Sequence, residues 1–273
     1  MTNNNRFLNT DLTILVSSPK SYRDVFDIFA DMINKNWPDC PFLKVYVTDD
    51  IDTDRYKGFQ TMLFPEASDW ISRTKNALSK ITSKYVLIVA DDLFFINKVN
   101  NFSFSELMDY MEENDSLYCR LYRSASINRK KNSITNNIFK LRYNHAYGRS
   151  LLGAIWNKEF FLDFLNETKM NPWEIEEHWL KEASSSKNMF IDKHLYFHNN
   201  YFYHAVYKGL WMRDAYRKVV NQKIMFRSTR PKLLWSKHIS LRVKSFFGNI
   251  VSPTVRIRIK KALSKFIHFD SKY

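Results

Sequence analysis

Glycine, cysteine and long apolar runs are all scarce in this chain, and each scarcity removes a class of function. Five glycines in 273 residues leave no GxGxxG and no Walker-type sequence, so a glycine-rich phosphate loop is excluded. Cys40 and Cys119 are too few and too far apart for a disulfide framework or a zinc site, and they point to a reducing compartment. No stretch reaches the roughly 18 apolar residues of a membrane span. Met-Thr-Asn-Asn-Asn-Arg leads into a short strand rather than the apolar core of a secretory signal. The expected location is cytoplasmic, with room for a peripheral position on the inner face of the cytoplasmic membrane. There is no HExxH among the histidines, and Ser17 and Ser18 lack the flanking glycines of a nucleophile elbow.

What is present is a packed globule. Hydrophobic residues make up 45% of the chain and aromatic ones 16%, enough to fill a core and to argue against disorder. The net charge of +14 suggests nucleic acid until it is divided along the chain. Residues 208–273 hold 17 Lys and Arg against 2 Asp, a balance of +15, while residues 1–207 carry a balance of −1. The basic excess belongs to the tail. The expected division is therefore a catalytic or binding domain over 1–207 and a basic amphipathic extension over 208–273, with nucleic acid set aside as a partner.

The spacing of apolar residues predicts a strand at 12–17, a helix carrying Tyr22, Val25, Phe26, Phe29, Ala30 and Ile33 on one face, a strand at 44–48, a helix at 69–82 and a strand at 85–90. Strand, helix, strand, helix, strand is the order of a doubly wound half with a parallel sheet and helices on both faces. The expected fold class is α/β. After it come a helix around 105–113, a β-rich stretch at 117–122, a polar basic loop at 124–137 with Arg129, Lys130 and Lys131, a strand at 151–156 and a helix at 158–165. The second half is less regular than the first.

Tyr85-Val-Leu-Ile-Val-Ala-Asp91-Asp92 carries the chemistry. An uninterrupted apolar strand is covered on both faces, and it delivers two carboxylates at its C-terminal end, where open α/β sheets place their ligands. Two hard oxygen ligands there suit Mg²⁺ or Mn²⁺ and, through it, a diphosphate; the plain alternative is a turn cap. Ser17 and Asp49 end the neighbouring strands on the same edge. Arg73, one turn after Trp70, can reach a diphosphate or lie on a solvated face. Trp70, Trp156 and Trp173 offer stacking faces for sugar or base, against the commoner fate of tryptophan in a core. Asn171-Pro172-Trp173-Glu174 starts a helix with an N-cap, a first-position proline and an acid three residues on, so Glu174 is either a capping-box residue or a carboxylate of the site. Glu176 is the candidate general base, unless it only serves the helix dipole.

Together, Trp70-Ile-Ser-Arg73, the Tyr85–Asp92 strand with Leu-Phe-Phe after it, Ala154-Ile-Trp156-Asn-Lys-Glu159 and Asn171-Pro-Trp173-Glu174-Ile-Glu176 resemble bacterial GT-A glycosyltransferases of surface-polysaccharide gene clusters, those of lipopolysaccharide, capsule and O-antigen. The resemblance extends over residues 11–212. It implies a GT-A-like fold, a nucleotide-sugar donor, a divalent cation at an Asp-x-Asp position and an acid at the start of the acceptor-side helix. Here the metal motif reads Ala90-Asp91-Asp92, without the spaced pair. On this reading Asp91 and Asp92 are the metal ligands, Ser17, Asp49, Trp70, Arg73, Asp91, Trp156 and Trp173 bind substrate, and Glu176 or Glu174 is the base. The donor is a UDP-sugar and the acceptor a lipid-linked or surface glycan. The sequence offers no protein nucleophile, which favours inversion.

Two amphipathic patterns occupy the tail: Trp235, Ile239, Val243 and Phe246, then Val255, Ile259, Ala262, Leu263 and Phe266 among Arg256, Lys260, Lys261 and Lys265. Basic amphipathic helices bind anionic membranes, so residues 233–267 are the candidate membrane contact; the alternative is a helical pair docked on the domain. The competing reading of the whole chain is a non-catalytic basic protein that binds membrane or nucleic acid, with Asp91 and Asp92 structural.

Overall fold

The computed structural model describes residues 11–52, 56, 58–65, 68–122, 133–142, 149–185 and 190–250. The basic stretch with Arg129, Lys130 and Lys131 and the helix expected from Ser252 lie outside them. An eight-stranded mixed sheet forms the centre, in the order β3-β2-β1-β4-β8-β6-β9-β7. Its strands are β1 (Leu12–Ser17), β2 (Leu43–Thr48), β3 (Phe59–Leu63), β4 (Tyr85–Val89), β6 (Tyr118–Arg120), β7 (Ile138–Arg142), β8 (Ala154–Asn157) and β9 (Phe190–Phe197). From β3 to β4 all pairs are parallel, β8 runs against both β4 and β6, β6 and β9 are parallel, and β7 runs against β9. The α/β architecture and the doubly wound first half are as expected.

Alternation along the strands divides the core in two. Ile14, Val16, Leu87 and Val89 face α1 (Arg23–Asn36) and α3 (Asn101–Glu113), where Phe26, Phe29, Phe104 and Met111 are buried. Leu15, Val45, Val86 and Ile88 face α2 (Trp70–Lys80), α4 (Lys158–Glu167) and α5 (Pro172–Ser185) through Ala77, Leu78, Phe161, Leu165 and Ile175. Each fully buried side chain of this size stabilises by about 1.5–3 kcal/mol. The helix starts follow local chemistry: Asp69 accepts from Ser72 N at the head of α2, Asn100 caps α3, and Asn157 caps α4.

Four short strands supplement the sheet. β5 (Leu93–Phe95) pairs antiparallel with β10 (Phe202–His204), and β11 (Val206–Tyr207) with β12 (Leu210–Trp211). After β12 come α6 (Arg213–Asn221) and α7 (Trp235–Ile250). Trp211, Ala215, Val219 and Leu233 belong to the same core as Phe26 and Phe94. The charge boundary at residue 208 is thus crossed by continuous packing as far as Leu233. No helix among the described residues is long and apolar enough to cross a membrane.

Candidate functional site

The parallel register sets the tips of β1, β2 and β4 side by side, because Ser17 lies opposite Val47 and Val16 opposite Val89. The chain beyond each tip is polar. Ser18 and Asp50 are fully buried and Asp91 is 7% exposed. Burial on this scale demands partners, and each has one. Ser18 Oγ donates to Asp91 Oδ2. Arg23, the first residue of α1, donates a two-nitrogen fork to Asp50. Asp49 accepts from the Lys20 backbone N–H at 2.6 Å. Burial, reinforced by Asp92 beside it and opposed by Ser18, pushes Asp91 up to about 7. For Asp50 burial acts upward too, but Arg23 outweighs it and holds the carboxyl below its ordinary value.

Asp92 is placed by β5 and β10. Leu93 pairs with His204, Ala205 N–H donates to Asp92 O at 2.7 Å, and His204 Nε2 lies 3.0 Å from Asp92 Oδ2. Burial would lower His204, but Asp92, with Asp91 behind it, raises it above the usual histidine value. A second wall comes from the tail: Arg230 Nε reaches both oxygens of Asp24 at 2.9 and 3.0 Å, and its Nη2 donates to Ser21 O at 2.6 Å. The Arg230 guanidinium also lies 4.1 Å over the Tyr22 ring. These partners, Ser18, Arg23, Asp50, His204 and Arg230, were not candidates from sequence. Ser18 and Asp50 adjoin residues that were; His204 and Arg230 come from distant chain with no local signal.

A polar cleft of about 470 Å³ opens over the tips of β1 and β2, lined by Pro19, Lys20, Ser21, Asp49, Ser68 and Arg73. Arg73 Nε and Ser17 Oγ are buried there or beside it with no hydrogen-bond partner. Two orphaned polar atoms at one edge are what a bound polar ligand would satisfy. Asp49 and Arg73 line this cleft, Ser17 ends β1 beside it, and Asp91 and Asp92 follow the end of β4, the strand next to β1. Trp70, at the head of α2, packs partly against the second core.

The remaining candidates separate. Trp156 is 2% exposed and stacks on Phe161 at 4.6 Å, with Tyr118 edge-on at 4.5 Å. Its ring is core and has no face for a sugar, which corrects the expectation of substrate binding; its alternation on β8, opposite Val86, decides this. Trp173 is 84% exposed at the start of α5. Glu174 closes a capping box, with Asn171 N–H donating to its Oε2 at 2.8 Å while Asn171 Oδ1 accepts from Trp173 and Glu174 N–H at 3.0 and 3.1 Å. Glu176 instead accepts from Ser150 Oγ at 2.9 Å and Leu151 N–H at 3.0 Å. Leu151 immediately precedes the turn in which Gly153 N–H donates to Ile88 O at 2.8 Å, so Glu176 is tied to the edge of the sheet on which Asp91 and Asp92 sit. Gly153 is required there: its φ is +64°, and a Cβ would lie 2.7 Å from Tyr122 Cβ and 2.9 Å from Leu93 Cδ2.

Among the described residues no three His, Cys, Asp or Glu groups are arranged to hold a metal ion. The donors present suit a hard cation that takes its other ligands from phosphate and water, the usual habit of Mg²⁺. Asp92, paired with His204, keeps 20% of its side chain exposed, and Asp91, spent on Ser18, stands behind it.

No protein-family profile matches this sequence, and no curated protein matches it. Solved structures overlap it weakly. Residues 1–349 of TarS from S. aureus align with 12% identity and a TM-score of 0.45 over 78% of this chain and 64% of that one. A longer TarS chain gives 14% identity and 0.45 over 78% and 38%. CMP:2-keto-3-deoxy-manno-octonic acid synthetase complexed with CTP gives 9% identity and 0.46 over 79% and 100%. The chain thus spans less than two thirds of either TarS chain. These are likenesses of strand and helix arrangement and say nothing about activity.

Proposed function

We propose that this chain is a glycosyltransferase of the hexosyltransferase class, moving a sugar from a UDP-sugar to a hydroxyl of a lipid-linked or surface glycan with inversion at the anomeric carbon. The observation that carries the reading is the gathering of Asp49, Asp50, Asp91 and Asp92 at adjacent strand ends beside a polar cleft with unsatisfied Arg73 and Ser17 atoms. The cleft receives the nucleoside diphosphate, and Arg73 donates to it. A divalent cation, when bound at Asp92, neutralises charge on the departing diphosphate. Glu176 takes the proton of the acceptor hydroxyl as its oxygen bonds to the anomeric carbon, and the electron pair of the breaking C–O bond leaves with the diphosphate. Inversion needs a base and no protein nucleophile.

The same reading rests the enzyme on an anionic membrane surface through residues 233–267. Leu234, Trp235 and Ile239 are 71%, 50% and 55% exposed, and Arg213 and Arg217 lie 4.7 and 5.3 Å from the Trp235 ring. Apolar side chains ringed by cations suit a headgroup layer.

The test is a thermal-shift series with UDP, GDP, CMP and their sugars, with and without Mn²⁺, followed by turnover of Asp92→Ala. Selective stabilisation by uridine nucleotides is expected through mass action, and Asp92→Ala should keep the wild-type melting temperature while losing turnover by about 10²–10³-fold, as loss of one electrostatic stabiliser does. Equal stabilisation by every nucleotide, or no turnover in the wild type, would return the chain to the basic-binder reading, whereas unchanged turnover in the variant would remove Asp92 from the reaction.

A further inference from the structure

Arg120 ends β6, two strands from β4 and so about 10 Å across the sheet. Ile88, Ala154, Arg120 and Tyr196 form one row through successive pairings. Its side chain therefore shares the face of Ile88, Ala154 and Tyr196, all members of the apolar core under α4 and α5. It is 4% exposed. Nε donates to Tyr122 O at 2.8 Å, but Nη1 is buried with no hydrogen-bond partner, and among the described residues no carboxylate pairs with the guanidinium. A guanidinium stays charged at any ordinary pH, and a buried charge without a partner is strongly disfavoured.

The neighbouring chain has no counter-charge to offer. Residues 116–158 contain nine Lys and Arg and no Asp or Glu. Arg149, which precedes the turn into β8, finds its acid on α5, Glu182 at 2.7 Å. Arg120 has no such recourse. Glu176 is tied to the same strand through Ser150, whose N–H donates to the Tyr118 hydroxyl at 2.9 Å, two residues before Arg120 on β6, but its own bonds go to Ser150 and Leu151.

We infer that the acceptor is anionic and that Arg120 receives its oxyanion, a phosphate or a carboxylate, beside Glu176. This rests on the transferase reading and narrows it. An oxyanion matches the guanidinium fork in geometry and supplies the charge that the fold withholds. Neutral acceptors leave Arg120 unpaired, so the site discriminates against them through the cost of a buried, unmet donor.

The experiment uses the full chain saturated with UDP, so that the donor cleft is filled, and titrates it by calorimetry with inorganic phosphate and, separately, glucuronate. Wild type should show one saturable site for at least one of the two, and the stronger arm tells phosphate from carboxylate. Arg120→Met should weaken that site at least tenfold, while Arg120→Lys, which keeps the charge and loses the fork, should fall between. Background binding to the basic tail is common to all three proteins. Without anion, Arg120→Met should melt at or above the wild-type temperature, because an apolar side chain replaces an unpaired buried charge. The inference is overturned if wild type binds neither anion, if Arg120→Met binds as wild type does, or if Arg120→Met melts lower or fails to fold, since the guanidinium would then serve the core. UDP binding is the control: its loss in wild type defeats the transferase reading, whereas UDP binding with anion affinity indifferent to residue 120 defeats only this inference.

Discussion

On the parallel half of the sheet each tip carboxylate is met by a donor: Asp50 by Arg23, Asp91 by Ser18, Asp49 by the Lys20 backbone and Asp92 by His204. Beyond β8, where strand directions are mixed, Arg120 and His194 are buried at 4% and 5% exposure with Nη1 and Nδ1 unpartnered. The tip carboxylates of the first half are met within the chain, although Ser17 Oγ and Arg73 Nε beside them are unpartnered. The second carries its polar groups as a cost, and such a cost persists where function requires it or where nothing selects against it. Perturbing each half should therefore give opposite signatures.

The largest effect on stability is expected on the parallel half. Arg23→Met strands the fully buried Asp50 carboxylate, and removing one partner of a buried pair costs about 3–5 kcal/mol; with Arg23 itself 29% exposed, the lower end applies. Urea unfolding at pH 7 should show that loss. A change below 1 kcal/mol would mean that the paired half is no more dependent on its pairs than Arg120 is on none.

His194 gives the next contrast. Burial, with Arg149 adding repulsion, depresses it from 6.5 to about 3. The unfolded chain then takes up a proton near pH 6.5 that the folded chain refuses, so stability falls as pH drops through 6.5 and continues to fall toward 3. Between pH 7 and 5 the loss amounts to about 2 kcal/mol. His194→Leu should remove that part of the acid slope in denaturant midpoints. An unchanged slope would show that the ring is hydrated and this half of the sheet less dry than its packing against Tyr118 and Phe160 requires.

The smallest effect on stability separates two glutamates on one helix. Glu174→Ala opens the capping box and should cost about 0.5–1 kcal/mol with turnover kept, while Glu176→Gln should lose about 10²–10⁴-fold in kcat at unchanged stability. The reverse pattern would move the base to Glu174.

The legibility of the molecule follows the same division. The strands at 12–17 and 85–89 and the helix over 23–36 are local patterns, an apolar run of strand length or a 3.6-residue stripe, and the chain shows them directly. Asp91 and Asp92 were visible because they end such a run. β3 was not, for its residues are all partly or fully exposed at the sheet edge and no alternation marks them. Trp156 was misread because an indole beside a motif looks the same whether its strand turns it inward or outward; only the pairing with Val86 decides. His204 reaches Asp92, Arg230 reaches Asp24 and Arg120 stays unpaired through contacts far apart in sequence, and no local period encodes them.

Arg230 closes over Asp24 across a separation of 206 residues. Asp24 therefore leaves the ribosome about 10–40 s before its partner, at roughly 5–20 residues per second. For that interval the partner of Asp24 is missing, and this wall of the cleft is delivered long after the strands it covers. A chaperone, a nucleotide or a premature stop would each act on that unfinished intermediate, in which the acidic strand tips exist and the basic latch does not.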